Sequence, residues 1–157
     1  MIKNNQSPTP NEFVKTISII HFGLVAGLLA FGTITFFQTD IANSSSLNQN
    51  DPLIYIAPLV GMAGIFGSKV VFQKLVERAK SANGLQDKLA AYQTASLIQW
   101  ALIEGPAFLN LALFMSSGNS LYLAVAVTLL LYLAWLRPTK IKISSDLELR
   151  GDDLAQF

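Results

Sequence analysis

Apolar and polar positions along the chain segregate into blocks. Four mainly apolar runs occupy residues 13–37, 53–72, 96–115 and 121–136, with polar segments between them. A helix crossing a bilayer core needs about 20 such residues, within a range of about 17–25. The pattern predicts an all-α membrane protein whose four transmembrane helices form two antiparallel hairpins. The fourth run is slightly short, and Arg137 at its end can snorkel to lengthen the span. Residues 1–137 are the transmembrane domain in this reading, and residues 138–157 a short mobile tail. The first run is longer than the h-region of a secretory signal, about 7–15 residues, and no small-residue cleavage site follows it. It is expected to remain as the first span.

Composition agrees with the pattern. Hydrophobic residues make up 52% of the 157 and charged ones 13%, where a soluble domain carries about a quarter charged. The chain has no cysteine, which excludes disulfides, thiolate metal sites and thiol nucleophiles. Net charge is +1 and no basic block is interleaved with aromatics, so nucleic acid is not an expected partner. With a single histidine, the sequence offers no metal cluster, no cofactor motif and no catalytic set, and an enzyme is not expected.

Charge placement sets an orientation. No Lys or Arg lies between the first and second runs or between the third and fourth. Lys74, Arg78, Lys80 and Lys88 lie between the second and third, and Arg137, Lys140, Lys142 and Arg150 follow from the end of the fourth. The positive-inside rule then puts both termini in the cytoplasm. Tyr55 and Tyr122 fall at the outer interface and Trp135 at the inner one, as aromatic belts require. Asn43-Ser44-Ser45 is a glycosylation sequon on the outer connection, relevant in a eukaryotic secretory pathway. In the tail, "KIKIS" alternates, and Ser145-Asp146-Leu147-Glu148 has the form of a capping box for one short helical turn.

Small residues indicate how the spans pack, because they let helix backbones approach in lipid. Gly23 and Gly27 stand in a G-x-x-x-G spacing followed by Ala30, and Ala57, Gly61, Gly64 and Ser68 align on one face of the second span. These stripes predict packing roles for Gly23, Gly27, Gly61 and Gly64, either between the first two spans or against another copy. The fourth span has Thr128 as its clearly polar residue and is expected at the lipid-facing edge. The third carries polar groups on two adjoining faces, which places it inside the bundle. Its Gln93, Gln99 and Asn110 are expected to bond across helices.

The candidate chemistry lies in "ALIEGPAFLN" of the third span. Glu104 sits about 18 Å from the span's outer end, close to the midplane, at 1.5 Å per residue. An ionised carboxylate there costs at least about 2.5–3.5 kcal/mol. Pro106 has no N–H for the Leu102 carbonyl, and Gly105 loosens the helix beside it, which predicts a hinge. His21 in the first span lies at a depth that allows contact with Glu104 if the two spans are neighbours, and such a pair can pass a proton or simply neutralise itself. Alternatively Glu104 is a packing element held by a donor from Trp100 or Gln99.

Residues 53–116 resemble the proteolipid, or c, subunit of rotary ATPases: a glycine-rich helix, a polar loop, then a helix with a mid-membrane carboxylate in "ALIEGPAF". The resemblance implies an ion-carrying role for Glu104. Gly61, Gly64 and Gly67 are spaced by three, however, where that family repeats every second residue, and Ser81-Ala82-Asn83-Gly84 stands where its Arg/Gln/Pro loop signature would be. As a whole the chain is similar to small four-helix proteins of bacterial inner membranes. The function expected is a self-associating or accessory subunit of a membrane assembly, with the lipid bilayer, another copy or another membrane subunit as partner. The alternative is a proton-coupled carrier or channel component using Glu104.

Overall fold

A computed structural model describes residues 9–39 and 52–157. Its elements are α1 (Pro10–Gln38), α2 (Leu53–Lys80), α3 (Leu85–Ser117), α4 (Ser120–Trp135), α5 (Lys140–Asp146) and α6 (Asp152–Gln156), with no strand among the described residues. By length and apolar content α1, α2 and α3 can each cross a membrane. α4 has 16 residues, and α5 follows it across a bend of 84°. The sequon at 43–45 lies outside the described residues.

Local chemistry fixes the helix ends. α1 starts before the apolar run because Thr9-Pro10-Asn11-Glu12 is a capping box: the Thr9 hydroxyl accepts from the Glu12 N–H, and the Glu12 carboxylate accepts from the Thr9 N–H at 2.8 Å. Pro10 occupies the first turn, where a missing N–H costs nothing. α3 ends at Gly118, whose φ of 66° is the left-handed cap conformation, with its N–H on the Phe114 carbonyl at 2.7 Å. Asn119 then opens α4 by accepting from the Leu121 N–H.

Within the bundle α3 is the helix most in contact with the others, packing against α1, α2 and α4. Trp100, Ile103 and Ala107 of α3 are buried with Ile17 and Leu28 of α1 and Leu129 and Leu133 of α4. The small residues of α2 serve α3 and α4: a Cβ on Gly61 would meet Val125 at 3.0 Å, and one on Gly64 would meet the Leu102 carbonyl oxygen at 2.7 Å. Two expectations change here. α1 does not pair along α2 as a hairpin but lies against α3, with a lighter contact to α4. α4 is not an edge helix either, since it touches all three others. Its apolar surface gave no polar face by which to recognise the buried side.

The tail carries two short helices, α5 and α6. Thr139 caps α5 by accepting from the Lys142 N–H, so "KIKIS" is helical, with Ile143 buried and Ile141 exposed. Ser145 and Asp146 end that helix instead of opening one. Ion pairs tie the tail to the bases of α2 and α3, Lys80 to Glu148 at 2.7 Å and Lys88 to Asp153 at 2.6 Å, while the Tyr92 hydroxyl donates to Asp146 at 2.9 Å. Around the bundle, Ile19, Phe22, Phe37, Leu59, Phe66 and Leu131 are mostly exposed. So broad an apolar surface suits hydrocarbon, not water.

Candidate functional site

Glu104 lies one helical turn after Trp100 and one turn before Phe108, so the three share a side of α3. That side faces α1. Trp100 meets the His21 ring edge-on at 4.8 Å between centroids, and Phe108 meets Phe31 at 5.3 Å. The carboxyl therefore belongs to the stretch of the α1–α3 seam between two aromatic contacts. Glu104 is partly exposed there, and its side chain has no hydrogen bond or ion pair to a described residue. Neither Trp100 nor Gln99 donates to it, though both are buried.

His21 does not pair with Glu104, although α1 and α3 are neighbours. Its Nε2 lies 2.9 Å from the Leu133 carbonyl oxygen. A carbonyl can only accept, so Nε2 carries the hydrogen. Leu133 is in the last turn of α4, where carbonyls have no full set of intrahelical donors. The Leu136 N–H supplies one bond at 3.0 Å and His21 a second, from another helix. His21 is thus a lateral cap on α4, clamped against Trp100.

Pro106 does not interrupt α3, which runs continuously through it. The Leu102 carbonyl, deprived of its donor by the proline, lies against α2 at Gly64, where a Cβ would also crowd Pro106 at 2.9 Å. Gly105 is exposed with open space around its Cβ position. Asn110 is buried, and its Nδ2 donates to the Pro106 carbonyl of its own helix at 2.9 Å rather than across helices. Its Oδ1 has no partner among the described residues. Gln93 lies at half-buried depth on α3.

The glycine pairs part company. Gly61 and Gly64 are buried against α4 and α3, while Gly23 and Gly27 have nothing within 4 Å of an added Cβ. At 100° per residue they lie well around α1 from the buried Ile17, His21 and Leu28. Among the described residues no group of three His, Cys, Asp or Glu side chains is placed to hold a metal ion.

One cluster escaped the sequence reading. Lys15, Ser18 and His21 of α1 converge with Ala134 and with Arg137, just beyond α4, on an open cleft of about 560 Å³. The basic residues are visible in the chain, but nothing in it shows that the base of α1 lies beside the end of α4.

Fold and site define an all-helical protein with three or four helices of membrane-spanning character. Compared with protein-family models, curated proteins and solved structures, the chain gives no significant match.

Proposed function

We propose that this chain is a four-span integral protein of a bacterial inner membrane, with both termini cytoplasmic, that works as a self-associating or accessory subunit of a membrane assembly. The observation that carries the reading is the uncovered Gly23–Gly27 face of α1. Every small residue of the α2 stripe has a neighbour from α3 or α4 or is buried, whereas this pair has none among the described residues. Close backbone approach in lipid needs such a face, and α1 is free to offer it because its main contacts are with α3 and α4. The test is the mass of the purified protein in mild detergent. Gly23→Leu with Gly27→Leu should convert an oligomer to a monomer while Ala30→Leu, further along, has a smaller effect. A wild-type protein that is already monomeric at every concentration would refute self-association.

The second reading, a proton-coupled carrier or channel component, draws on Glu104. A carboxyl near mid-membrane, partly exposed and without a side-chain partner, is free to take up and release a proton. Self-association would also enclose it. Glu104→Gln should then abolish carbodiimide labelling and any proton-linked flux in vesicles while leaving the oligomer intact. Flux unchanged in that variant would remove the carrier reading and leave the accessory role.

A further inference from the structure

The seam between α1 and α4 is open along much of its length, and its two ends differ in chemistry. Towards the outer end the lining is apolar: Leu29, Gly32 and Phe36 of α1 face Leu123, Val127 and Leu130 of α4 around about 330 Å³. Towards the base the cleft of about 560 Å³ is lined by apolar Phe22 and Val25 and by polar Lys15, Ser18 and Arg137. Neither Lys15 nor Arg137 has an acidic partner among the described residues, in contrast to Lys80 and Lys88 at the same end of the bundle. Lys142 adds a third positive charge near the His21 ring. Two unpaired cations and a hydroxyl over an apolar slot are complementary to a phosphate carrying a hydrocarbon chain.

We propose that this cleft is a binding site for one anionic phospholipid of the inner leaflet, its phosphate held by Lys15, Arg137 and Ser18 and one acyl chain laid along Phe22 and Val25. The inference rests on the reading that the chain spans a membrane with its basic end inside. Lengths agree. Ten residues of helix, from Lys15 to Val25, rise about 15 Å, half of a hydrocarbon core of about 30 Å. A lipid seated there would fill the gap that the light α1–α4 contact leaves, beside His21, which lines the cleft and is itself bonded to Leu133 of α4. The site lies on a different side of α1 from Gly23 and Gly27, so lipid and a second copy can bind together.

Delipidated protein in mild detergent, titrated separately with phosphatidylglycerol and phosphatidylcholine and read by native mass spectrometry, tests this. One phosphatidylglycerol per protomer is expected, bound about thirtyfold more tightly than phosphatidylcholine, since two cations each favour an anionic headgroup by about 1 kcal/mol. Lys15→Gln with Arg137→Gln should level the two lipids, whereas Lys74→Gln with Arg78→Gln should preserve the preference. Ala134→Trp fills the slot without touching a charge and should lose the bound lipid, which keeps the test valid if the double variant does not fold. Equal retention of both lipids by the wild type, or unchanged retention in Ala134→Trp, would overturn the proposal. So would displacement of phosphatidylglycerol by inorganic phosphate alone, which would mark a simple anion site, or crosslinking of a Val25→Cys variant to its own copy, which would mark a helix in the groove. If the protein needs no detergent to stay dissolved, the membrane reading itself fails, an outcome separate from these.

Discussion

Pro106 creates a problem that Gly64 resolves. The proline leaves the Leu102 carbonyl without its helical donor, and α2 answers by presenting the residue that brings no side chain to that point. The contact is backbone against backbone, so it has no side chain to swing aside. Gly64→Ala should therefore destabilise the bundle by about 1–3 kcal/mol. Gly61→Ala meets side-chain atoms of Val125 and Leu129 at 3.0 and 3.5 Å, which can shift, and should cost less. Unfolding in mixed detergent micelles measures both, and a Gly64→Ala protein as stable as wild type would contradict this account of the contact. At this scale the sequence was partly legible. The Gly61–Gly64 stripe and the strain at Pro106 could be read from residue types, but not that they meet. The partner of His21, 112 residues away, could not be read at all, because a backbone carbonyl leaves no mark in a sequence.

Among the elements, α5 shows how a short helix is held at the base of the bundle. It ends in a Schellman arrangement: the Leu149 N–H bonds the Ser144 carbonyl at 3.0 Å and the Glu148 N–H the Ser145 carbonyl at 3.2 Å. The left-handed position of this motif normally holds glycine, yet here it is Glu148, at φ 51°. Its carboxylate earns the place through Lys80, whose ammonium donates to it and holds its pKa below the usual carboxylate range. A depressed carboxylate pKa contributes stability that is present above the unfolded-state value and is lost as pH falls through the folded one. The tail should consequently loosen from α2 in acid, below the usual carboxylate range, with faster proteolysis after residue 138 at pH 3 than at pH 6 as the readout. Glu148→Gln should loosen it at pH 6 as well, whereas Glu148→Gly trades the ion pair for a relaxed backbone and should not. Equal cleavage of all three proteins at both pH values would contradict the assignment. The tail's helices were hidden in the sequence because the isoleucine alternation of "KIKIS" imitates a strand, while Thr139, the cap that decides for helix, is a single residue.

For the whole molecule, the run lengths and the lysine and arginine pattern carried most of what could be foreseen: helices throughout, three of them long and apolar enough to cross a membrane, and a basic end. The described lysines and arginines do gather towards the end where α1 starts, α2 passes to α3 and the tail folds back. Neighbour relations were beyond reach. Helices that are apolar all round do not announce which face is covered, so the attachment of α1 to α3 rather than α2, and the cleft between α1 and α4, emerge only from the packing. The proposed topology puts this basic end in the cytoplasm and the α3–α4 turn outside. The absence of cysteine makes the direct measurement simple: single cysteines placed at Asn83, Ser117 and Gln156, probed in intact cells with a membrane-impermeant thiol reagent. That topology predicts labelling of Ser117→Cys at once, and of Asn83→Cys and Gln156→Cys only after permeabilisation. Labelling of Asn83→Cys in intact cells, or protection of Ser117→Cys alongside it, would contradict it.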